Sequence, residues 1–434
     1  MKTVYKLTLG LLLLSMACEN DLDQVPPNIA SADSLEDFTG VLNAAYFYQL
    51  GSVTPMAVMG DFRADNAFMF EAPFTEFDEF DADLPAMEDQ FFGPFYTALY
   101  KSILSANNVI ENSSDNTDIG EAKFLRALSY FKLVQVFGDV TVNLSSAPPT
   151  NDSSILVRQP AADVYNNVII PDLQDAISAL GVEIVNGRAS RLAAQGILGK
   201  VYVHLGNFVE AEAQLASVVS GAAAANIELQ TDFATIFGVD NDLNSEIIFA
   251  TQVSSSIVDE YGFSEFWSWS GGLDTKSLMP LDADLVAAFD ASPGDLRRAV
   301  TIDEALMASP KFPQTGGPDH DWIELRLADV ILLFAEALNE NGDTSGALTE
   351  LNKIRARAGL ANSTATTQAE VRQSIQDERR LELAFEGQRW FDLVRTGTVD
   401  AEMGQAVNPN YHLFPVPISE VLATGGVITQ NPGY

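Results

Sequence analysis

The stretch "ILGKVYVHLGNFVEAEAQL", residues 197–215, decides the fold. Its apolar residues recur three and four apart on either side of Gly206-Asn207, which reads as two amphipathic helices joined by a tight turn. Small residues, Gly199 on the first helix and Ala211 on the second, stand where two antiparallel helices would approach each other. The same offsets return in "FAEALNENGDTSGALTELNKIR", residues 334–355, where Ala335, Leu338, Gly342 and Ala347 repeat Gly199, Tyr202, Gly206 and Ala211. A unit repeated at fixed internal spacing marks stacked helical hairpins, because a single hairpin cannot bury its own apolar face.

Together with Leu198 and Phe208, these are the offsets of a tetratricopeptide repeat. Outward from them the helical period continues over 31–50, 91–112, 119–137, 160–180, 190–205, 207–220, 325–341, 344–358 and 368–396. Strand-like runs are few and short, such as "EIIFATQV" at 246–253. The expected fold class is therefore mostly α, a tetratricopeptide-like scaffold of helical hairpins with long irregular loops. Two stretches, 51–90 and 231–321, carry no helical period. Both are rich in aromatic residues, which disordered segments lack, so they read as ordered excursions laid over the scaffold.

At the N-terminus Lys2 and Lys6 precede an apolar block from Leu7 to Leu14, then the small residues Ser15 and Ala17, then Cys18. That order is an export signal over 1–17, and the block is too short to cross a bilayer. A cysteine directly after small residues resembles the acylation site of bacterial lipoproteins, although Ser15 stands where the usual pattern has Leu. Acyl chains on Cys18 would anchor the body to a membrane without a spanning helix. Residues 18–30 read as a flexible acidic tether, and 31–434 as one domain.

Cys18 is the only cysteine, so the body has no thiol for a disulfide or a thiolate nucleophile. His204, His320 and His412 have no second histidine at ligand spacing, which argues against a zinc enzyme. The net charge of −36, from 60 acidic against 24 basic residues, argues against nucleic acid and disfavours polyanionic ligands.

Four long motifs carry a further resemblance: "EAKFLRALSYFKLVQVFGDV" (121–140), "LRLADVILLFAEALNENGD" (325–343), "ERRLELAFEGQRWFDLVRTG" (378–397) and the ending "HLFPVPISEVLATGGVITQNPGY" (412–434). With the lipoprotein-like start they make the chain similar to the SusD/RagB family along its whole mature length. The resemblance implies a lipoprotein on the outer face of the outer membrane of a Bacteroidetes cell. It implies a non-catalytic protein that captures an oligo- or polysaccharide, or in RagB-type members a peptide, and delivers it to a SusC-type TonB-dependent transporter. Glu19, Asp21 and Asp23, just after Cys18, look like that phylum's surface-export signal. No binding residue transfers directly, since the chain departs most where ligand contacts lie.

Ligand-binding candidates therefore come from the residues themselves. In "EYGFSEFWSWSGG" (260–272) Trp267 and Trp269 alternate with serines, and Tyr261 and Phe266 add further rings. Flat aromatic faces suit the apolar side of a pyranose; the competing reading is a half-buried strand whose tryptophans pack on the scaffold. In "GDFRADNAFMF" (60–70) Asp61, Arg63, Asp65 and Asn66 offer donors and acceptors for hydroxyls, beside Phe68 and Phe70. The competing reading is a turn in which Asp65 and Asn66 bond their own backbone. "FTEFDEFDADLPAMEDQ" (74–90) has carboxylates dense enough for calcium, yet lacks the glycine and terminal glutamate of an EF-hand loop. It reads as a solvated acidic face, with no cofactor. The charges of 378–395 read as ordinary pairing on a helix surface, with Trp390 and Phe391 toward the core. No nucleophile elbow, phosphate loop or dinucleotide fingerprint is present, so the sequence gives no sign of an enzyme. The glycan expected is a neutral glucan.

Overall fold

The computed structural model describes residues 37–68, 72–149, 151–253, 263, 281–312 and 319–434. The signal, Cys18 and the tether lie outside the described residues, as do Phe70, Tyr261, Phe266, Trp267 and Trp269.

Helices α1 (Thr39–Gln49), α2 (Val53–Asp61), α3 (Gly93–Asn112) and α4 (Asn116–Phe137) open the chain. Asp115 caps α4 by accepting from the backbone N–H of Thr117 and Asp118, which satisfies donors that have no partner within the helix. Strand β1 (Val140–Thr141) pairs antiparallel with β2 (Arg158–Gln159). Helices α5 (Ile170–Ala179), α6 (Arg191–His204) and α7 (Phe208–Gly221) follow. Strand β3 (Ile247–Thr251), helix α8 (Ala283–Asp290) and strand β4 (Trp322–Arg326) come next, β3 and β4 pairing antiparallel across an irregular register. Helices α9 (Leu327–Glu340), α10 (Thr344–Arg357), α11 (Gln368–Glu382) and α12 (Arg389–Thr396) complete the scaffold.

The helices stack as a solenoid, each on its neighbour: α1 on α3, α3 on α4, α4 on α5, α5 on α6, α6 on α7, α7 on α9, and α9 on both α10 and α11. Both repeats read from the sequence are hairpins, α6–α7 and α9–α10. At Gly199 a Cβ would lie 2.5 Å from the Leu215 side chain, so the glycine sets how closely α6 and α7 approach. Gly206 and Gly342 turn the chain at φ +72° and +93°, conformations that side-chain-bearing residues resist. Side chains from Phe38 to Ile428 form one continuous apolar core.

Three expectations need correction. The stretch 51–90 is not wholly irregular, because it contains α2, whose apolar residues are buried on every side; a helix buried all round has no polar face and hence no period. The stretch 231–321 holds β3 where 246–253 reads as strand-like, and also helix α8, which no period marks. The single helix read over 368–396 is two, α11 and α12. They are separated by Leu383–Gln388, where Phe385 and Gly387 take φ of +67° and +69°.

Candidate functional site

The two excursions meet. Strand β3 runs out at Gln252 and Val253, and the Val253 N–H donates to Asp321 Oδ1 at 2.8 Å. The chain is described again from Leu281, and the Asp282 N–H donates to the Asn66 carbonyl at 3.2 Å. Between them Phe263 is buried, its ring centroid 5.0 Å from those of both Phe312 and Trp322 in edge-to-face contacts. The scaffold thus ties 60–68 to the end of the segment that holds the sequence-predicted tryptophans. Phe68, at this junction, is 45% exposed.

The polar residues of 60–68 have another role than the one expected. Asp61, Arg63, Asp65 and Asn66 are all buried. Asp61 accepts from Asn66 Nδ2 (3.1 Å), Phe385 N (3.2 Å) and Gly387 N (2.7 Å), and burial pushes its carboxyl up to about 6. Arg63 donates to the carbonyls of Phe77 (2.8 Å) and Tyr411 (3.0 Å), its guanidinium 4.3 Å from the Phe80 ring centroid. Asp65 forms a two-point pair with Arg389 (2.6 and 2.8 Å) and a second pair with Arg380 (3.0 Å). Asn66 Oδ1 accepts from Arg380 Nε at 3.1 Å. These groups hold the loop to the scaffold and are engaged with protein partners, so the ligand-contact reading of all four is corrected. The turn reading accounts for only part of the loop: Asp65 bonds its own backbone and Asn66 Nδ2 bonds Asp61, but both side chains also bind arginines more than 300 positions away, Arg389 and Arg380. Arg380 and Arg389, which position this loop, carry no local sequence signal for that role.

Of the charges of 378–395, Glu378, Arg379, Glu382, Glu386 and Arg389 are buried rather than on a helix surface, while Asp392 and Arg395 form an i,i+3 helix pair as read. Glu382 meets Arg297 (2.9 Å) and Arg326 (2.6 Å), and also pairs with Arg357. Burial alone would raise its pKa, but Arg357, Arg326 and Arg297 hold the carboxyl well below the usual range. Glu386 is bound by Lys311 (2.6 Å) and Arg326 (2.7 Å) and is likewise lowered. Both stay ionised at neutral pH, so neither can be the proton-donating acid that glycoside hydrolysis requires. Trp390 and Phe391 are buried, as read.

In 74–90, Phe77, Phe80, Leu84 and Met87 turn inward. The carboxylates of Glu76, Glu79 and Asp81 offer ligand atoms within 4.8 Å of one another; burial and the neighbouring charges of Glu79, Asp81 and Asp83 raise Glu76. Glu88 is not merely solvated: it accepts from the backbone N–H of Ser419 at 3.0 Å and of Ile418, at the start of a short helix.

Asp321, the anchor of Val253, is pushed up to about 7, first by burial and then by Asp242. A carboxyl whose pKa is raised by folding binds its proton more tightly in the native state, so its stability contribution falls as pH rises from about 4 to 7. Asp321→Asn keeps the acceptor for Val253 without the charge. It is expected to stabilise the protein by ~1–2 kcal/mol at pH 8, with the gain vanishing by pH 4. Urea unfolding at both pH values measures this, and an equal effect at each would contradict it.

Comparison with known proteins places this geometry. Residues 17–203 match a family model described as "Starch-binding associating with outer membrane", and residues 299–434 match one described as "SusD family". The chain is SusD-like. It is 26% identical to SusD-like protein P2 of Formosa agariphila over 99% of both chains. A SusD superfamily protein from Parabacteroides distasonis superposes with TM-score 0.79 at 22% identity, covering 94% of this chain and 100% of that one. A protein described as "Laminarin binding SusD-like protein" superposes with TM-score 0.71 at 23% identity, covering 92% and 99%. The mostly helical SusD-like scaffold expected from the four motifs is therefore present. Among the described residues no helix is long and apolar enough to cross a membrane.

Proposed function

We propose that this SusD-like chain is a non-catalytic glycan-binding lipoprotein of the outer-membrane surface, anchored through acylated Cys18, which captures an oligo- or polysaccharide for a SusC-type TonB-dependent transporter. The observation that carries the reading is the SusD-like scaffold, whose two aromatic-rich excursions are tied together at Asn66 and Asp282. The laminarin-binding neighbour supports a glycan as the ligand. The ligand face is proposed to use Trp267, Trp269, Tyr261 and Phe266 with Phe68 and Phe70, stacking on sugar rings. An excess of acidic over basic residues favours a neutral glucan over a polyanion. No cofactor is required.

Affinity gels loaded with neutral or acidic polysaccharides test this, using protein that starts at Glu19. One neutral glucan is expected to retard the wild type, with or without EDTA, and the Trp267→Ala, Trp269→Ala variant at least ~10-fold less. Stronger retention by alginate would overturn the neutral preference, loss of retention in EDTA the absence of a cofactor, and retention of peptides alone the glycan reading. In cells, Cys18→Ser is expected to lose the protein from the membrane fraction; an unchanged distribution contradicts the anchor.

A further inference from the structure

A cavity also opens on the helical scaffold, lined by none of the residues of the two excursions. It is an open cleft of about 620 Å³ between the C-terminal ends of α4 and α6, helix α12 and the C-terminal segment, within the ~300–1,000 Å³ typical of small-molecule sites. Tyr165, His204, Phe391, Val394 and His412 line it.

Its wall is built. Arg158 donates to the carbonyls of Asp139 (2.7 Å), Phe137 (2.8 Å) and Thr429 (2.8 Å) and to Asn431 Oδ1 (2.6 Å). Asn431 in turn donates to Phe137 O and Phe414 O. The guanidinium is thereby engaged with protein acceptors and fixes the C-terminal segment as one side of the cleft.

Two polar groups are left over. Tyr165 is only 4% exposed, and its hydroxyl has no hydrogen-bond partner; nor does His412 Nε2. Buried polar atoms are nearly always paired, so two unpaired ones on a single cavity wall call for a ligand or solvent partner. Burial lowers the pKa of both imidazoles, His204 to about 4, which leaves them neutral at pH 7. Apart from Arg158 and Asp139, whose Oδ1 accepts from the Ala161 N–H at 2.9 Å, the wall carries neutral hydrogen-bonding groups beside the rings of Tyr165 and Phe391. That combination matches a neutral polyhydroxylated ring, with hydroxyls for the polar atoms and C–H faces for the aromatics.

We infer that this cleft, lined by Tyr165, His204, Phe391 and His412, is a second saccharide site that takes one or two neutral sugar units. The choice of a saccharide among neutral polyols rests on the glycan-binding reading above; the residues are independent of it.

The chain has three histidines, and only His204 and His412 line the cleft, while His320 packs against Phe312. Imidazole NMR signals therefore report the site directly. The probes are maltose and laminaribiose, with a neutral dipeptide for contrast, added to the Trp267→Ala, Trp269→Ala variant. A disaccharide is expected to shift His204 and His412 but not His320. Tyr165→Phe keeps the ring and removes an unpaired hydroxyl, so the unfolding temperature should hold while affinity falls roughly five- to tenfold. Val394→Trp should block the cleft and abolish the shifts.

The proposal is overturned if neither disaccharide moves these signals, if Tyr165→Phe and Val394→Trp bind as the parent does, or if only the dipeptide binds. Gel retention of the wild type without histidine shifts defeats this site alone. Histidine shifts without any gel retention leave it standing and defeat the tryptophan face.

Discussion

Arg326→Met is expected to cost about 3–5 kcal/mol of folding stability. Arg326 is buried and binds Glu246 (2.9 Å), Glu382 (2.6 Å) and Glu386 (2.7 Å). It also donates to the Glu382 carbonyl at 2.8 Å. Around it Arg297, Lys311, Arg355 and Arg357 face Glu246, Asp295, Glu378, Glu382 and Glu386, so the cluster is balanced charge for charge. A balanced buried cluster need not stabilise more than an apolar core would. Removing one member is different, because the carboxylates left behind stay desolvated without their partner. Arg326→Lys retains the charge but not the fork that reaches three carboxylates, and should fall between wild type and Met. Arg298, which pairs with Asp290 and Glu304 at the surface, is the control: Arg298→Ala should stay within ~0.5 kcal/mol. Urea midpoints measure all three, and an Arg326→Met loss under ~1 kcal/mol would refute the argument.

The second large effect is expected at the contact between α2 and the break separating α11 from α12. A Cβ on Gly60 would lie 2.2 Å from the Gly387 carbonyl oxygen. One on Gly387 would meet Met56 O at 2.9 Å and the Trp322 ring at 2.9 Å, at a backbone φ of +69°. Backbone cannot give way as a flexible side chain does, so either substitution must separate the two segments. Gly387→Ala adds the left-handed penalty of ~1–2 kcal/mol to overpacking of ~1–3 kcal/mol. Gly60→Ala has the second component at its upper end. Both should also weaken glycan retention, because Asp61 binds the Phe385 and Gly387 N–H groups and Asn66 binds Asp282. Gly40, in α1 with nothing within 4 Å of its would-be Cβ, is the contrast: Gly40→Ala should stabilise, by up to ~1 kcal/mol. A Gly60→Ala protein as stable as wild type would show that the contact relaxes freely.

The sequence by itself determined the helical hairpins, since Gly199, Gly206 and Ala211 and their counterparts Ala335, Gly342 and Ala347 answer to turns and contacts within a single hairpin, where spacing maps directly onto geometry. It also carried the four motifs by which the chain reads as SusD-like. Helix α2 was hidden because burial on all sides erases the period. Tertiary structure alone decided the role of Asp61, Arg63, Asp65 and Asn66. As a string they look like a sugar-binding loop; besides local bonds to Phe77 and between Asp61 and Asn66, they bind Phe385, Gly387, Arg389, Arg380 and Tyr411, more than 300 positions along the chain. The same holds for Glu382 and Glu386, which local spacing assigns to a helix surface and which folding buries against Arg297, Lys311 and Arg326. Short-range periodicity records which face of a helix is apolar. Which polar groups end up in the interior depends on long-range partners, and that pairing has no period to read.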